Sequence, residues 1–169
     1  MMNKRLYIVE GEIEKRFLEQ LRECNIIKPG RVKKWKMMHE KLTPRSDILT
    51  KRVDEIIAVI DIDCCDECHL NTFTLNIKEL KKIGKVFVLV QNRNFEDELL
   101  KIFNFSTISN LCIFFNIKNR TRKDLKTFLS KSVVYKDKIN KENIKMYGQC
   151  YSSFNYEAMK INFITGQKL

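Results

Sequence analysis

The chain has 169 residues and carries 32 Lys and Arg against 21 Asp and Glu, a formal net charge of +11. Its hydrophobic fraction of 44% is enough for a packed core, which excludes a disordered chain and fits one compact domain. The sequence contains no apolar run of 18 residues and no signal-peptide pattern, so we expect a cytoplasmic protein without a membrane contact, with its cysteines reduced.

Short apolar runs alternate with amphipathic segments along the first two thirds of the chain. Residues 5–9 predict a buried strand, and residues 12–24 predict a helix because their apolar side chains recur at helical spacing. The same criteria predict strand 31–38, helix 47–54 with Ser46 as its cap, strand 56–60, helix 72–83 ended by Gly84, strand 86–90 and helix 95–103. This alternation indicates an α/β layered fold with a mostly parallel central sheet flanked by helices.

The last third of the chain gives weaker signals. The apolar run 111–115 predicts a strand, and residues 122–131 predict a helix. Residues 132–169 mix polar and aromatic side chains without a clear period, so no element is predicted there.

Two of the predicted strands end in carboxylates. The first runs into Glu10, with Glu14 four residues later, and the strand 56–60 runs into Asp61 and Asp63. Ligands of parallel sheets bind beyond the carboxyl ends of the strands, where Asn92 also falls. Carboxylates gathered there repel one another unless a hard cation such as Mg²⁺ neutralises them.

These motifs resemble the Toprim family, the catalytic domain shared by topoisomerases, bacterial primases, small maturation nucleases and OLD nucleases. The family pattern is a strand ending in Glu-Gly with a second acid nearby, as in residues 9–14, and a later strand ending in Asp-x-Asp, as in residues 60–63. Residues 90–100, a polar turn before Phe-Glu and a Leu-rich helix, are similar to the RloB-like and OLD-type branch. The resemblance implies a Toprim (Rossmann-like) catalytic core over residues 1–105, with residues 106–169 as a C-terminal extension completing the same domain.

The chemistry that this resemblance implies is divalent-metal-dependent hydrolysis of phosphodiester bonds in DNA or RNA. Glu10, Asp61 and Asp63 are then the ligands of Mg²⁺ or Mn²⁺, with Glu14 and Glu96 as further catalytic acids. By the same resemblance Glu10 is the candidate general base. Each motif alone also fits an ordinary helix start, where acids are favoured, but the three motifs in this order favour the metal site.

The segment 64–69 departs from the topoisomerase and primase pattern, which has a Gly-Glu pair soon after Asp-x-Asp, and this favours the nuclease branch. Cys65 and Cys68 have the spacing of zinc ligands, but a structural zinc site needs a second pair, so reduced thiols are the preferred interpretation. His39 and His69 each stand alone in the sequence and indicate no site.

The positive charge fits either solubility alone or attraction to polyphosphate backbones. Together with the acidic motifs it favours a nucleic-acid partner, contacted by the basic cluster Lys118, Arg120, Arg122, Lys123 and Lys126. No phosphate-binding Gly-x-x-x-x-Gly-Lys-Ser/Thr loop is present, so the resemblance implies a separate ATPase subunit in bacterial defence against phage. A homo-oligomer stays open, as does the alternative of a non-catalytic nucleic-acid-binding or toxin-like adaptor on the same scaffold.

Overall fold

A computed structural model describes residues 4–43, 46–48, 53–61, 67–91 and 95–131 of the chain. Within these residues a helix follows the first and the third of four strands, and three further helices follow the last strand. The elements are β1 (Arg5–Val9), α1 (Glu12–Glu23), β2 (Arg31–Lys34), β3 (Glu55–Asp61), α2 (Glu67–Leu80), β4 (Lys85–Gln91), α3 (Phe95–Ile102), α4 (Ile108–Phe114) and α5 (Arg122–Lys131).

The four strands form one parallel sheet in the order β2-β1-β3-β4. All five residues of β1 are buried, as expected for a central strand covered on both faces. The chain moves from β1 outward to β2, returns to the other side of β1 as β3, and then moves outward again to β4. The predicted α/β fold with a parallel sheet is therefore confirmed, and the sheet is doubly wound.

The alternation of side chains along β1 divides the core into two layers. Tyr7 and Val9 pack with α1, α3, α4 and α5, whereas Leu6 and Ile8 pack with α2 and with the segment that follows β2. Helices α1 and α2 thus cover opposite faces of the sheet. The described part of the C-terminal extension joins the first layer, because Leu111 and Leu125 are buried in it.

The predicted strand 111–115 is wrong, because these residues lie in α4 and the turn that ends it. Thr107 caps this helix, since its side-chain oxygen accepts a hydrogen bond from the backbone N–H of Asn110 at 3.2 Å. Leu111 and Phe115, four residues apart, face the core, while Ile113 is exposed. A run of five apolar residues fits a strand and a buried helix equally well, and here the cap decides for the helix.

Two further boundaries differ from the prediction around β2 and β3. The strand predicted over residues 31–38 ends at Lys34, because the backbone then makes the local hydrogen bonds of a turn: Met37 N–H to the carbonyl of Trp35 at 3.0 Å, and Glu40 N–H to the carbonyl of Lys36 at 2.9 Å. The helix predicted over residues 47–54 is also wrong in its described part: Ile48 lies in a turn, and Asp54 is non-helical, its N–H bonding to the carbonyl of Lys4 at 2.8 Å. The intervening residues 49–52 lie outside the described part of the chain.

The loop before β2 is fixed against β1 by a buried tyrosine. The Tyr7 hydroxyl donates a hydrogen bond to the carbonyl of Lys28 at 2.7 Å, and burial raises the pKa of that hydroxyl. A Cβ atom on Gly30 would lie 2.7 Å from the Tyr7 ring and 2.9 Å from the carbonyl oxygen of Arg5, so only glycine fits this approach.

Among the described residues, no helix combines the length and apolarity that crossing a membrane requires.

Candidate active site

The strand order reverses between β1 and β3, and two of the predicted metal ligands lie at that point. Glu10 directly follows β1 and Asp61 is the last residue of β3. Val9 pairs with Val59 across the two parallel strands, so their carboxyl ends reach the same edge of the sheet. Neighbouring strands lie about 4.8 Å apart, which puts the two backbones side by side.

Such a reversal opens a crevice in a doubly wound sheet. The helix that follows β1 covers one face and the helix that follows β3 covers the other, so the connections diverge above the two strands. In open α/β sheets ligands bind in this crevice. The structure therefore brings the backbones of Glu10 and Asp61 to the ligand-binding position of the fold, while Asp63 and Asn92 lie outside the described residues.

Glu10 and Glu14 flank the start of α1. Glu10 is half-buried, and its Oε1 atom is fully buried. Gly11 is the N-cap of α1, and the carboxylate of Glu14 folds back over it: a Cβ atom on Gly11 would lie 2.7 Å from the Cδ atom of Glu14. Negative charge at a helix N-terminus is stabilised by the helix dipole. Glu14 therefore lies at the same edge as Glu10, with its carboxylate at the N-terminal turn of the helix.

Glu96 belongs to a different environment, an ion-pair network between α3 and α5. Its side chain is only 3% exposed, and its carboxylate oxygens lie 3.6 Å from Arg122 Nη1 and 3.6 Å from Lys126 Nζ. Asp97 joins the network through Arg122 Nη2 at 2.8 Å. Since α3 follows β4, this network lies at the carboxyl end of the sheet. Two cations contact the Glu96 carboxylate, so it anchors α5 beside the candidate site.

The predicted basic cluster is thereby divided into two groups. Arg122 and Lys126, here called the paired cations, face the carboxylates of Glu96 and Asp97. Lys118, Arg120 and Lys123, here called the open cations, are exposed and form no ion pair with any residue that the structure describes. The uncompensated positive charge of the cluster is therefore concentrated in the loop before α5 and in its first turn.

The residue types at the two strand ends are compatible with a hard divalent cation. Glu10 and Asp61 are both carboxylic acids, and carboxylate oxygens are the ligands that Mg²⁺ and Mn²⁺ prefer in proteins. Across the ranges that the structure describes, no group of three His, Cys, Asp or Glu side chains is placed to hold a metal ion. The third predicted ligand, Asp63, lies outside those ranges.

When the chain was compared with known protein families, with curated proteins and with solved structures, none of them matched it.

The structure also contains a polar cluster that the sequence did not indicate. The ring centroids of His39 and His69 lie 4.2 Å apart, and the ring planes make an angle of 67°. The two residues are separated by 29 others in the chain. Asn76, only 2% exposed, holds the loop that carries His39. The chain has only these two histidines, and a low histidine count does not predict that the two are in contact.

Proposed function

We propose that this chain is a divalent-metal-dependent nuclease that hydrolyses phosphodiester bonds of DNA or RNA. The observation that carries the proposal is the position of Glu10 and Asp61 on adjacent parallel strands at the reversal of the sheet order. The Toprim-like motifs at the same two strand ends support it, because in that family these acids hold the catalytic metal.

Glu10, Asp61 and Asp63 are the proposed ligands of Mg²⁺ or Mn²⁺, and the metal would neutralise phosphate charge and activate water for attack. Glu10 is half-buried, so its charge is only partly screened by solvent, which strengthens its pull on a cation. By the family resemblance Glu10 is also the candidate general base. Glu14 has its carboxylate at the start of α1. The four acids Glu10, Glu14, Asp61 and Asp63 are together called the acidic edge.

We assign contact with the nucleic-acid backbone mainly to the open cations Lys118, Arg120 and Lys123. A phosphate that approaches Arg122 or Lys126 has to compete with Glu96 and Asp97, whereas the open cations carry no such competitor among the described residues. Each cation that neutralises a phosphate releases a counterion, so binding becomes strongly dependent on salt. The division of the cluster therefore predicts that the open cations contribute most of its effect on the salt dependence of binding.

Replacing all three open cations by glutamine should weaken binding to duplex DNA and flatten its salt dependence. The slope of log K against log salt should fall in magnitude by about 3, one unit for each lost phosphate contact. Fluorescence anisotropy measures the binding constant at each salt concentration. Divalent metal is left out, so cleavage does not disturb the measurement. The matched control replaces Lys36, Lys41 and Lys78, three exposed cations on the α2 side of the sheet. Equal slopes for the two triple variants would contradict the assignment.

A separate ATPase subunit is the proposed regulator, in a setting of defence against phage. The chain has no phosphate-binding loop of its own, and an uncontrolled nuclease endangers the cell that makes it. The physical route is access: cleavage needs a positioned phosphate as well as a metal, so a partner that controls how the substrate phosphate reaches the open cations controls cleavage without touching the acidic edge. We therefore expect the isolated chain to cleave weakly or not at all, and the partner to control its activity.

The decisive experiment for the function is a cleavage assay with single- and double-stranded DNA and RNA, run in Mg²⁺, in Mn²⁺ and in EDTA. It compares the purified chain alone with the chain co-expressed with the product of its neighbouring gene. We expect cleavage in divalent metal and none in EDTA. The competing adaptor function predicts binding without cleavage in every metal, with and without the partner, and that result would exclude the nuclease.

A further inference from the structure

We infer that His39 and His69 form a binding site for a borderline transition-metal ion such as Zn²⁺ or Ni²⁺. The chain has only two histidines, and the fold brings their rings to 4.2 Å from one another. They come from different elements: His39 from the loop after β2, and His69 from the first turn of α2. This inference is independent of the proposed nuclease function.

The loop that carries His39 is fixed to the helix that carries His69. The buried side chain of Asn76 donates hydrogen bonds to the carbonyls of Met37 and Glu40, and accepts one from the N–H of Leu42, each at 2.8 Å. Asn76 lies seven residues, or two turns, after His69 and therefore on the same face of α2.

Further contacts hold the same loop in place. Met37 and Met38, the two residues before His39, are fully buried beside α2. The carbonyl of Glu40, the residue after His39, is bonded to Asn76, so the residues on both sides of His39 are held. Both imidazoles are consequently placed before any metal arrives, and little ordering has to accompany binding.

Imidazole nitrogen is the ligand that suits Zn²⁺, Ni²⁺ and Cu²⁺, whereas Mg²⁺ and Mn²⁺ prefer carboxylate and water oxygen. His39 is exposed and His69 is half-buried, so an ion and its water ligands can reach both rings from solvent. No third His, Cys, Asp or Glu joins the pair to form a larger site within the described ranges. The inference accordingly assigns two protein ligands among the described residues.

The test titrates the full chain, made without a polyhistidine tag, with Ni²⁺ and with Zn²⁺ by calorimetry. We expect one site that is lost in His39→Ala and in His69→Ala, with affinity falling by about a hundredfold in either variant because two tethered ligands act as a chelate. Cys68→Ser, which changes the exposed thiol next to His69, is the control and should bind as the wild type does. Unchanged affinity in both histidine variants would overturn the site.

A second measurement needs no variant and covers the case in which one of them fails to fold. The wild-type chain has two histidines, so its NMR spectrum contains two sets of imidazole ring signals. Adding one equivalent of Zn²⁺ should shift both sets together, while Mg²⁺ should leave them unchanged. A shift of only one set, or of neither, would contradict a shared site and leave the ring contact as simple packing.

Discussion

We expect Asp61→Asn to lower the rate of metal-dependent cleavage by about a thousandfold, since a metal contributes several kcal/mol to stabilising a phosphoryl transition state. Asparagine keeps the shape of the side chain and one oxygen, so the change removes mainly the negative charge. Asp63→Asn should act in the same direction. Because Asp61 ends the central strand β3 next to Glu10, neutralising it also relieves repulsion, and the apo protein should melt no lower than the wild type.

Glu79→Gln is the matched control for this experiment. Glu79 lies near the end of α2, partly exposed, and pairs with the exposed Lys82 at 2.7 Å. Exposed pairs of this kind contribute little to stability, so this variant should cleave and melt as the wild type does. Binding of the nucleic acid without metal should also persist in Asp61→Asn, which separates a lost metal site from a lost fold. Full cleavage by both Asp61→Asn and Asp63→Asn would contradict the ligand assignment.

The parallel sheet could be predicted because its two central strands, β1 and β3, consist largely of buried, continuous apolar runs. Eight of their twelve residues are aliphatic, and each apolar run is followed by an acidic residue. Helix α5 was predicted for a similar reason, since Leu125 and Leu129 recur at helical spacing. By contrast, α4 is short and its apolar run has no period of its own, so only the cap at Thr107 distinguishes it from a strand.

The acidic edge could be anticipated from sequence because strand ends in a parallel sheet share one edge whatever the order of the strands. The backbones of Glu10 and Asp61 share one edge for this reason, and they are neighbours because β1 and β3 are adjacent in the sheet. What a sequence does not carry is the partner of a side chain from a distant element. Glu96 was predicted as a catalytic acid, and its ion pairs with Arg122 and Lys126 follow only from the packing of α3 and α5.

The contact between His39 and His69 has the same origin. It depends on a loop of irregular backbone after β2, and no period or propensity in the sequence fixes where such a loop lies. The fold places it through the side chain of Asn76, an asparagine in the middle of a helix, where its intrinsic propensity is poor. An asparagine of this kind has a low helix propensity, but its side chain forms hydrogen bonds with a loop from another part of the chain. Such a residue is therefore a sign that the loop is fixed.

We expect Asn76→Ala to lower the free energy of unfolding by about 3 kcal/mol, from three lost hydrogen bonds at about 1 kcal/mol each. The change leaves the carbonyls of Met37 and Glu40 and the N–H of Leu42 without their partner in α2. Asn71→Ala, at an exposed position of the same helix, is the control and should stay within about 0.5 kcal/mol of the wild type. Urea unfolding measures the free energy of unfolding of both variants, provided that the m-value is unchanged. Equal unfolding midpoints for Asn76→Ala and the wild type would contradict the role of Asn76.

The same variant separates the two proposed metal sites. Releasing the loop frees His39 to move away from His69, so the affinity for Ni²⁺ or Zn²⁺ should fall under conditions where Asn76→Ala is still folded. Glu10 and Asp61 are positioned by β1 and β3, whose pairing does not involve this loop, so cleavage in Mg²⁺ should persist. If Asn76→Ala instead lost cleavage and kept its Ni²⁺ affinity, the loop would belong to the acidic edge and the histidine pair would not depend on it.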